Sequence, residues 1–352
     1  MTIYFTFFLW VILVMYTANF LLFITPVILA AAAFVIYAVV NINMLRHPKA
    51  AWHFYRGIYA LGRNRFDSAL TEFDTAIRLY PQFATAFANR GVVYLRKGKV
   101  DQALADCNEA IRLMPKLAGA YSTRAAIYMS KNMADEALAD SNQAIALRPL
   151  SALAYTVRGH ACYVKRAYPE AVKAYERSAR LKPRDNAIRL GLGMAYTSNN
   201  QPEKAIPLLS RYLQMHPKNP FAYNTRGQAY LKAGQFEASL DDYKQALRLN
   251  PQFYFAYYCR GETYFAMGRY EDALYDFMRG NDFKPDDPLG IAGQAICHFM
   301  LGQTEQATLK WQKLVGLDVR YADAAFFESE HRPIPAMADA ARRLAKVVNE
   351  SA

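Results

Sequence analysis

Seven prolines stand 34 residues apart without an exception, at Pro81, Pro115, Pro149, Pro183, Pro217, Pro251 and Pro285. Two further markers keep the same phase. Twelve residues before each proline lies Ala69, Ala103, Ala137, Ala171, Ala205, Ser239 or Ala273. Twenty-four before it lies Gly57, Gly91, Ala125, Gly159, Gly193, Gly227 or Gly261. A period of this length describes an array of small units. Each unit exposes an apolar face alone and is stabilised by its neighbours.

The residues of one period fit a pair of helices. In 84–117 a first helix is predicted from about Thr85 to Lys97, closed by Gly98, with Asp101 starting the next. Ala103, Cys107 and Ala110 share one face of the second helix, and Pro115 ends it. Gly91 and Ala103 are small enough to let the two helices approach closely.

This pattern resembles the tetratricopeptide repeat, whose signature is small, aromatic, small, aromatic and proline over one period. The resemblance covers 50–321, as eight units: 50–83, 84–117, 118–151, 152–185, 186–219, 220–253, 254–287 and a degenerate 288–321. The last has Ala295 and Val319 where the others have the glycine and the proline. Residues 322–352 are not a repeat. Met337, Ala341, Leu344 and Val348 form an apolar stripe, so 335–349 reads as a capping helix. The resemblance implies an all-α, right-handed superhelical solenoid with a concave groove lined by first helices.

The seventh place of the unit is Arg in six repeats: Arg56, Arg90, Arg124, Arg158, Arg226 and Arg260. Sixteen residues on, five of these repeats carry an acid, at Glu72, Asp106, Asp140, Asp242 and Asp276; the sixth has Ala174. Repeats without the Arg lack the acid. The correlation predicts Arg–carboxylate pairs joining the two helices of a unit, with an anion-binding arginine stripe as the alternative. Repeats four and five depart furthest from the pattern. Pro207 falls inside a second helix and Tyr212 replaces a small residue, which predicts a local bend near 186–219.

The family resemblance places ligand contacts on the concave face. In the C-terminal half these places hold Phe221, Asn224, Gln228, Leu231, Phe255, Tyr258, Glu262, Phe265, Leu289 and Phe299. Such an aromatic groove suits an apolar or amphipathic peptide or helix; packing of some of these rings against the next repeat is the alternative. The Lys, Asn and Arg clamp of heat-shock co-chaperones is not matched: its places hold Phe54, Ile58, Asn89, Gly119 and Thr123.

The net charge of +12 is carried from Arg46 onward, because 1–45 contains no Asp, Glu, Lys or Arg. Residues 3–40 are almost continuously apolar, and Thr25-Pro26 is the one good breaker. Two transmembrane helices follow, at about 3–23 and 26–45, each near the length a bilayer needs. One span plus an interfacial helix is the alternative. A signal peptide does not fit, since a basic n-region is missing and the apolar run is too long. Arg46, Lys49, Arg56, Arg63 and Arg65 follow the spans, which puts the repeats on the cytoplasmic side. The basic stretch also favours anionic headgroups.

Nothing in the sequence marks an enzyme. The cysteines Cys107, Cys162, Cys259 and Cys297 form no CxxC pair and read as small buried hydrophobes. The histidines His47, His53, His160, His216, His298 and His331 lack metal-ligand spacing, and Gly191-Leu192-Gly193 does not complete a dinucleotide fingerprint. No cofactor or metal is expected. Residues 152–219 are strongly basic, yet the charges do not interleave with aromatics in one stripe, which argues against nucleic acid. The reading is a membrane-tethered scaffold or adaptor that holds a client protein's peptide or helix. The alternative is a permanent accessory subunit of a larger membrane complex.

Overall fold

The computed structural model describes residues 47–350. The apolar segment 1–45, where the transmembrane hairpin is expected, lies outside the described residues. Among those described, no helix is long and apolar enough to cross a membrane.

Eighteen α-helices and one 3-10 turn make up the described chain, which is all-α. It divides into two compact units, one ending at Lys131 and the other beginning at Asn132. The first unit contains α1 (Pro48–Gly62), α2 (Phe66–Leu79), α3 (Ala84–Arg96), α4 (Val100–Leu113) and α5 (Ala118–Ser130). The second opens with α6 (Ala134–Leu147), then α7 (Ala152–Val164), α8 (Tyr168–Leu181), α9 (Asn186–Ser198) and α10 (Pro202–Met215). It continues with α11 (Pro220–Lys232), α12 (Phe236–Leu249), α13 (Tyr254–Ala266), α14 (Tyr270–Phe283), α15 (Pro288–Met300) and α16 (Thr304–Leu317). A 3-10 turn (Val319–Ala322), α17 (Ala324–His331) and α18 (Pro335–Glu350) end the chain.

Small residues set how near the paired helices lie. A β-carbon built on Gly91 of α3 would stand 3.1 Å from Cys107 Sγ and 3.2 Å from the Ala103 carbonyl on α4. Larger side chains fill the space in other pairs: Leu209 and Tyr243 pack directly against Gly193 and Gly227. Phe54, Phe73 and Phe83 form one core in the first unit. Tyr258, Phe277, Trp311, Phe327 and Met337 belong to one continuous core in the second.

The turn between the two helices of each pair has one left-handed residue, again every 34 residues. These residues are Asn64, Gly98, Asn132, Arg166, Asn200, Gly234, Gly268 and Gly302. Glycine takes this conformation without strain and asparagine tolerates it. Arg166, at φ 60°, breaks the rule.

Pro207 lies within α10, which stays helical over Pro202–Met215. One backbone hydrogen bond is lost there without ending the element. Tyr212 is buried in the place of the small residue, where its hydroxyl accepts from Asn219 Nδ2 at 3.0 Å.

Candidate functional site

The arginines of the seventh place are ordered by three sets of contacts. Arg90 donates from Nε and Nη2 to the two oxygens of Asp106 at 2.8 and 2.7 Å. Arg226 does the same to Asp242 and Arg260 to Asp276, every bond at 2.7 Å. Arg56 Nη2 lies 3.0 Å from Glu72, which also meets His53. Arg124 stands in the first unit and Asp140 in the second; within the first, Arg124 donates to Asn108 Oδ1 at 2.8 Å.

Sequence reasoning missed a second contact. The remaining Nη1 of the guanidinium reaches sixteen residues backward, to the second helix of the preceding repeat. Arg90 meets Asp74 at 2.7 Å and Arg226 meets Ser210 at 2.9 Å. The third set is aromatic. Arg90 is flanked by Phe87 and Tyr94, Arg226 by Tyr223 and Tyr230, and Arg260 by Tyr257 and Tyr264. With the planar guanidinium sandwiched and forked in this way, the arginines are cross-links between helices. Burial pushes the carboxyls of Asp106, Asp242 and Asp276 above their ordinary range, and the arginines' hydrogen bonds offset this only in part. Arg158, in whose repeat Ala174 takes the place of the acid, has a buried Nε without a hydrogen-bond partner.

In the second unit the first helices lie side by side, α7 against α9, α9 against α11, α11 against α13 and α13 against α15. Their shared face is where the groove is expected. Four of the ten candidates are buried and four half-buried. Tyr258 and Phe265 are buried in the core, and Asn224 and Leu231 are also buried. Leu289 and Phe299 are half-buried against the same core. Two candidates are open: Phe221 is 41% exposed and Phe255 37%. Both hold the second place of their unit. Leu153, in the same place of the fourth repeat, is 47% exposed, and sequence reasoning passed over it.

Polar groups lie among these apolar ones. Asn224 Oδ1 is buried and unpartnered, while Gln228 Nε2 donates to Cys259 Sγ at 3.1 Å. Burial pushes the Glu262 carboxyl up to about 7, partly countered by Lys232. Lys232 Nζ donates to the Thr197 carbonyl at 3.0 Å.

The chain's own C-terminal segment packs against the same region. Helix α18 packs on α13, α15 and α16, with Met337, Ala341, Leu344 and Val348 all buried. Arg343 covers the Phe299 ring at 5.8 Å. Ahead of it, Phe327 and Tyr321 enter the core that holds Tyr258 and Phe265. The far end of this segment reaches the fourth repeat. Arg166 donates to the Ser329 carbonyl at 3.1 Å and to Glu330 at 2.9 Å, and Arg332 lies 4.9 Å from the Tyr168 ring.

All four cysteines are buried, and burial pushes the thiols of Cys162, Cys259 and Cys297 up, away from the nucleophilic thiolate. Among the described residues, no group of three or more His, Cys, Asp or Glu is placed to hold a metal ion.

The family model described as tetratricopeptide repeat matches residues 46–118, 124–186 and 166–220, and that described as TPR repeat matches 227–268. No curated protein matches the sequence. A chain of the APC/C hetero-tetramer Cut9-Hcn1 is similar over 80% of this chain and 52% of its own length, at a TM-score of 0.57 and 15% identity. PilW, a widely conserved type IV pilus biogenesis factor, is similar over 57% of this chain and 93% of its own, at a TM-score of 0.51 and 20% identity. YrrB, a tetratricopeptide protein with an unusual peptide-binding site, shares 26% identity over 53% of this chain and 95% of its own, at a TM-score of 0.43. At these identities the Cut9-Hcn1 and PilW likenesses show the fold alone.

Proposed function

The chain belongs to the tetratricopeptide-repeat family, and we propose that it is a membrane-tethered adaptor that holds a segment of a client protein against α11 and α13. Proteins of this family are protein–protein interaction scaffolds, and the fold is typically non-enzymatic. The observation that carries the finer reading is the pair of exposed rings, Phe221 and Phe255, in equivalent seats of adjacent first helices. Two exposed apolar anchors in equivalent seats suit a client segment that offers apolar side chains. The chain's own C-terminal helix packs on α13, α15 and α16, which shortens the face left to a client.

The tether in this reading is the uncharged stretch 1–45, with the basic residues after it holding the repeats on the cytoplasmic side. Fixing the array to a membrane raises the effective concentration of a client in that membrane without any new contact.

The test is photocrosslinking from position 221 and, separately, from position 255, in membranes that contain the full chain. Recovery of one client segment from both positions, and its loss in Phe221→Ala/Phe255→Ala at unchanged helicity, is the expected result. Undiminished capture by the double variant would place the client elsewhere and end this reading. Tyr258 and Phe265 are unsuitable probes, because their truncation would open the core.

A further inference from the structure

The outer face of α1 carries an aromatic stripe that no described helix covers. Later first helices, such as α3, α9 and α13, set this side against the second helix of the preceding pair. Helix α1 has no described pair before it. Its Trp52 is 64% exposed and its Tyr59 62%, with Tyr55 and Ile58 also exposed beside them. Lys49, Trp52, Arg56, Tyr59 and Arg63 follow one another at intervals of three or four residues, so they share one side of the helix and its last turn. The Arg63 guanidinium lies 5.3 Å from the Tyr59 ring. The opposite side, with Ala50, Phe54, Gly57 and Ala60, is buried in the repeat.

We propose that this face of α1 lies in the headgroup layer of an anionic bilayer. The inference rests on the membrane-tether reading and goes beyond it, because it assigns a second contact, made by the repeat array itself. Three observations select lipid as the occupant. The uncharged stretch ends at residue 45, three residues before α1 begins at Pro48, so a tethered α1 starts at the membrane surface. The exposed residues are Trp and Tyr, whose rings have an apolar body and a polar edge and settle at the water–lipid boundary. The charges that α1 and its flanks themselves carry are of one sign: residues 46–66 hold Arg46, Lys49, Arg56, Arg63 and Arg65 and no acid, although Arg56 also meets Glu72 of α2. Such a helix lies in the plane of the interface and is drawn to anionic lipid. Its folded inner side fixes the first repeat, and so the start of the array, at the bilayer.

Tryptophan fluorescence of the full chain in nanodiscs of phosphatidylcholine and phosphatidylglycerol tests this. The lipids are brominated either just below the headgroups or deep in the chains. The three tryptophans are Trp10, Trp52 and Trp311, and Trp311 is 1% exposed within the core, out of reach of lipid bromine. In Trp10→Phe the shallow bromines should therefore quench Trp52, the deep ones less, with a blue shift of its emission. In Trp52→Phe any quenching comes from Trp10 and reports the tether alone. Quenching in Trp52→Phe but not in Trp10→Phe would overturn the proposal and leave the tether standing. A blue shift without quenching in Trp10→Phe would overturn it in favour of a protein occupant, a second copy or the chain's own N-terminal segment. Quenching in neither variant would remove the tether reading and this inference together.

Discussion

Arg226 holds Asp242 through two parallel hydrogen bonds, Nε to Oδ2 and Nη2 to Oδ1, each 2.7 Å long. Asp242 is 4% exposed, so its charge depends on this one partner. Arg226→Leu should destabilise the array by about 3–5 kcal/mol, because it strands a buried carboxylate. The double variant Arg226→Leu/Asp242→Leu should recover most of the loss. Urea unfolding followed by circular dichroism measures both. A double variant as unstable as the single one would mean that the pair does more than neutralise itself.

The fourth repeat supplies the converse experiment. Arg158 has a buried Nε without a hydrogen-bond partner, and Ala174 stands where the other repeats have their acid. Ala174→Asp should supply the missing acceptor. A buried unpaired acid costs several kcal/mol, as Ala171→Asp should show one turn earlier in the same helix. The two variants are expected to differ by at least ~2 kcal/mol in urea, with Ala174→Asp the more stable. Equal losses would mean that Arg158 cannot reach across.

Glu262 should make stability depend on pH. Burial pushes its carboxyl from 4.5 up to about 7 in the folded state. Between these values the folded chain keeps a proton that the unfolded chain has lost, so stability falls as pH rises across this window. The loss is on the order of 3 kcal/mol in total, at ~1.4 kcal/mol per unit. Glu262→Gln removes the titration and should flatten the profile, so the variant gains on the wild type from pH 5 to pH 8. Thermal unfolding at several pH values checks this; a constant difference between the two proteins would assign the slope to other groups.

Arg166 is expected to trade backbone comfort for a contact. Its left-handed conformation costs about 1 kcal/mol in a residue with a β-carbon, part of which an asparagine at this position would recover. Arg166→Asn should leave the melting temperature unchanged or higher. It should also speed amide exchange in Ala324–His331 by about two- to fivefold, the yield of exposed charged contacts worth ~0.5–1 kcal/mol. Hydrogen exchange with mass spectrometry reads the two effects separately.

The period was fully legible because a repeat writes its phase many times. The link from Arg90 to Asp106 was legible for the same reason, as a correlation inside one chain. The backward link from Arg90 to Asp74 was present in the same register, but its partners change from Asp74 to Asn108 to Ser210, so residue type does not advertise it. The face of the first helices was harder to read. Periodicity gives Tyr258 and Phe255 their places in the unit, yet only neighbouring elements decide that Tyr258 is buried and Phe255 open. The C-terminal segment is not periodic, and nothing in the sequence shows that Glu330 returns to Arg166.

The two reaches of Arg90 and Arg226, sixteen residues forward and sixteen back, also bear on how such a gene can change in length. Suppose recombination removes 84–117, one whole period. Asp74 then stands sixteen residues before Arg124, as it now stands before Arg90. Duplicating a period leaves the spacing equally intact. Loss or gain of anything other than a whole period would leave buried carboxylates facing the wrong helix. The cross-links therefore act as a proofreading rule on the gene, passing arrays that grow or shrink by complete repeats and rejecting the rest.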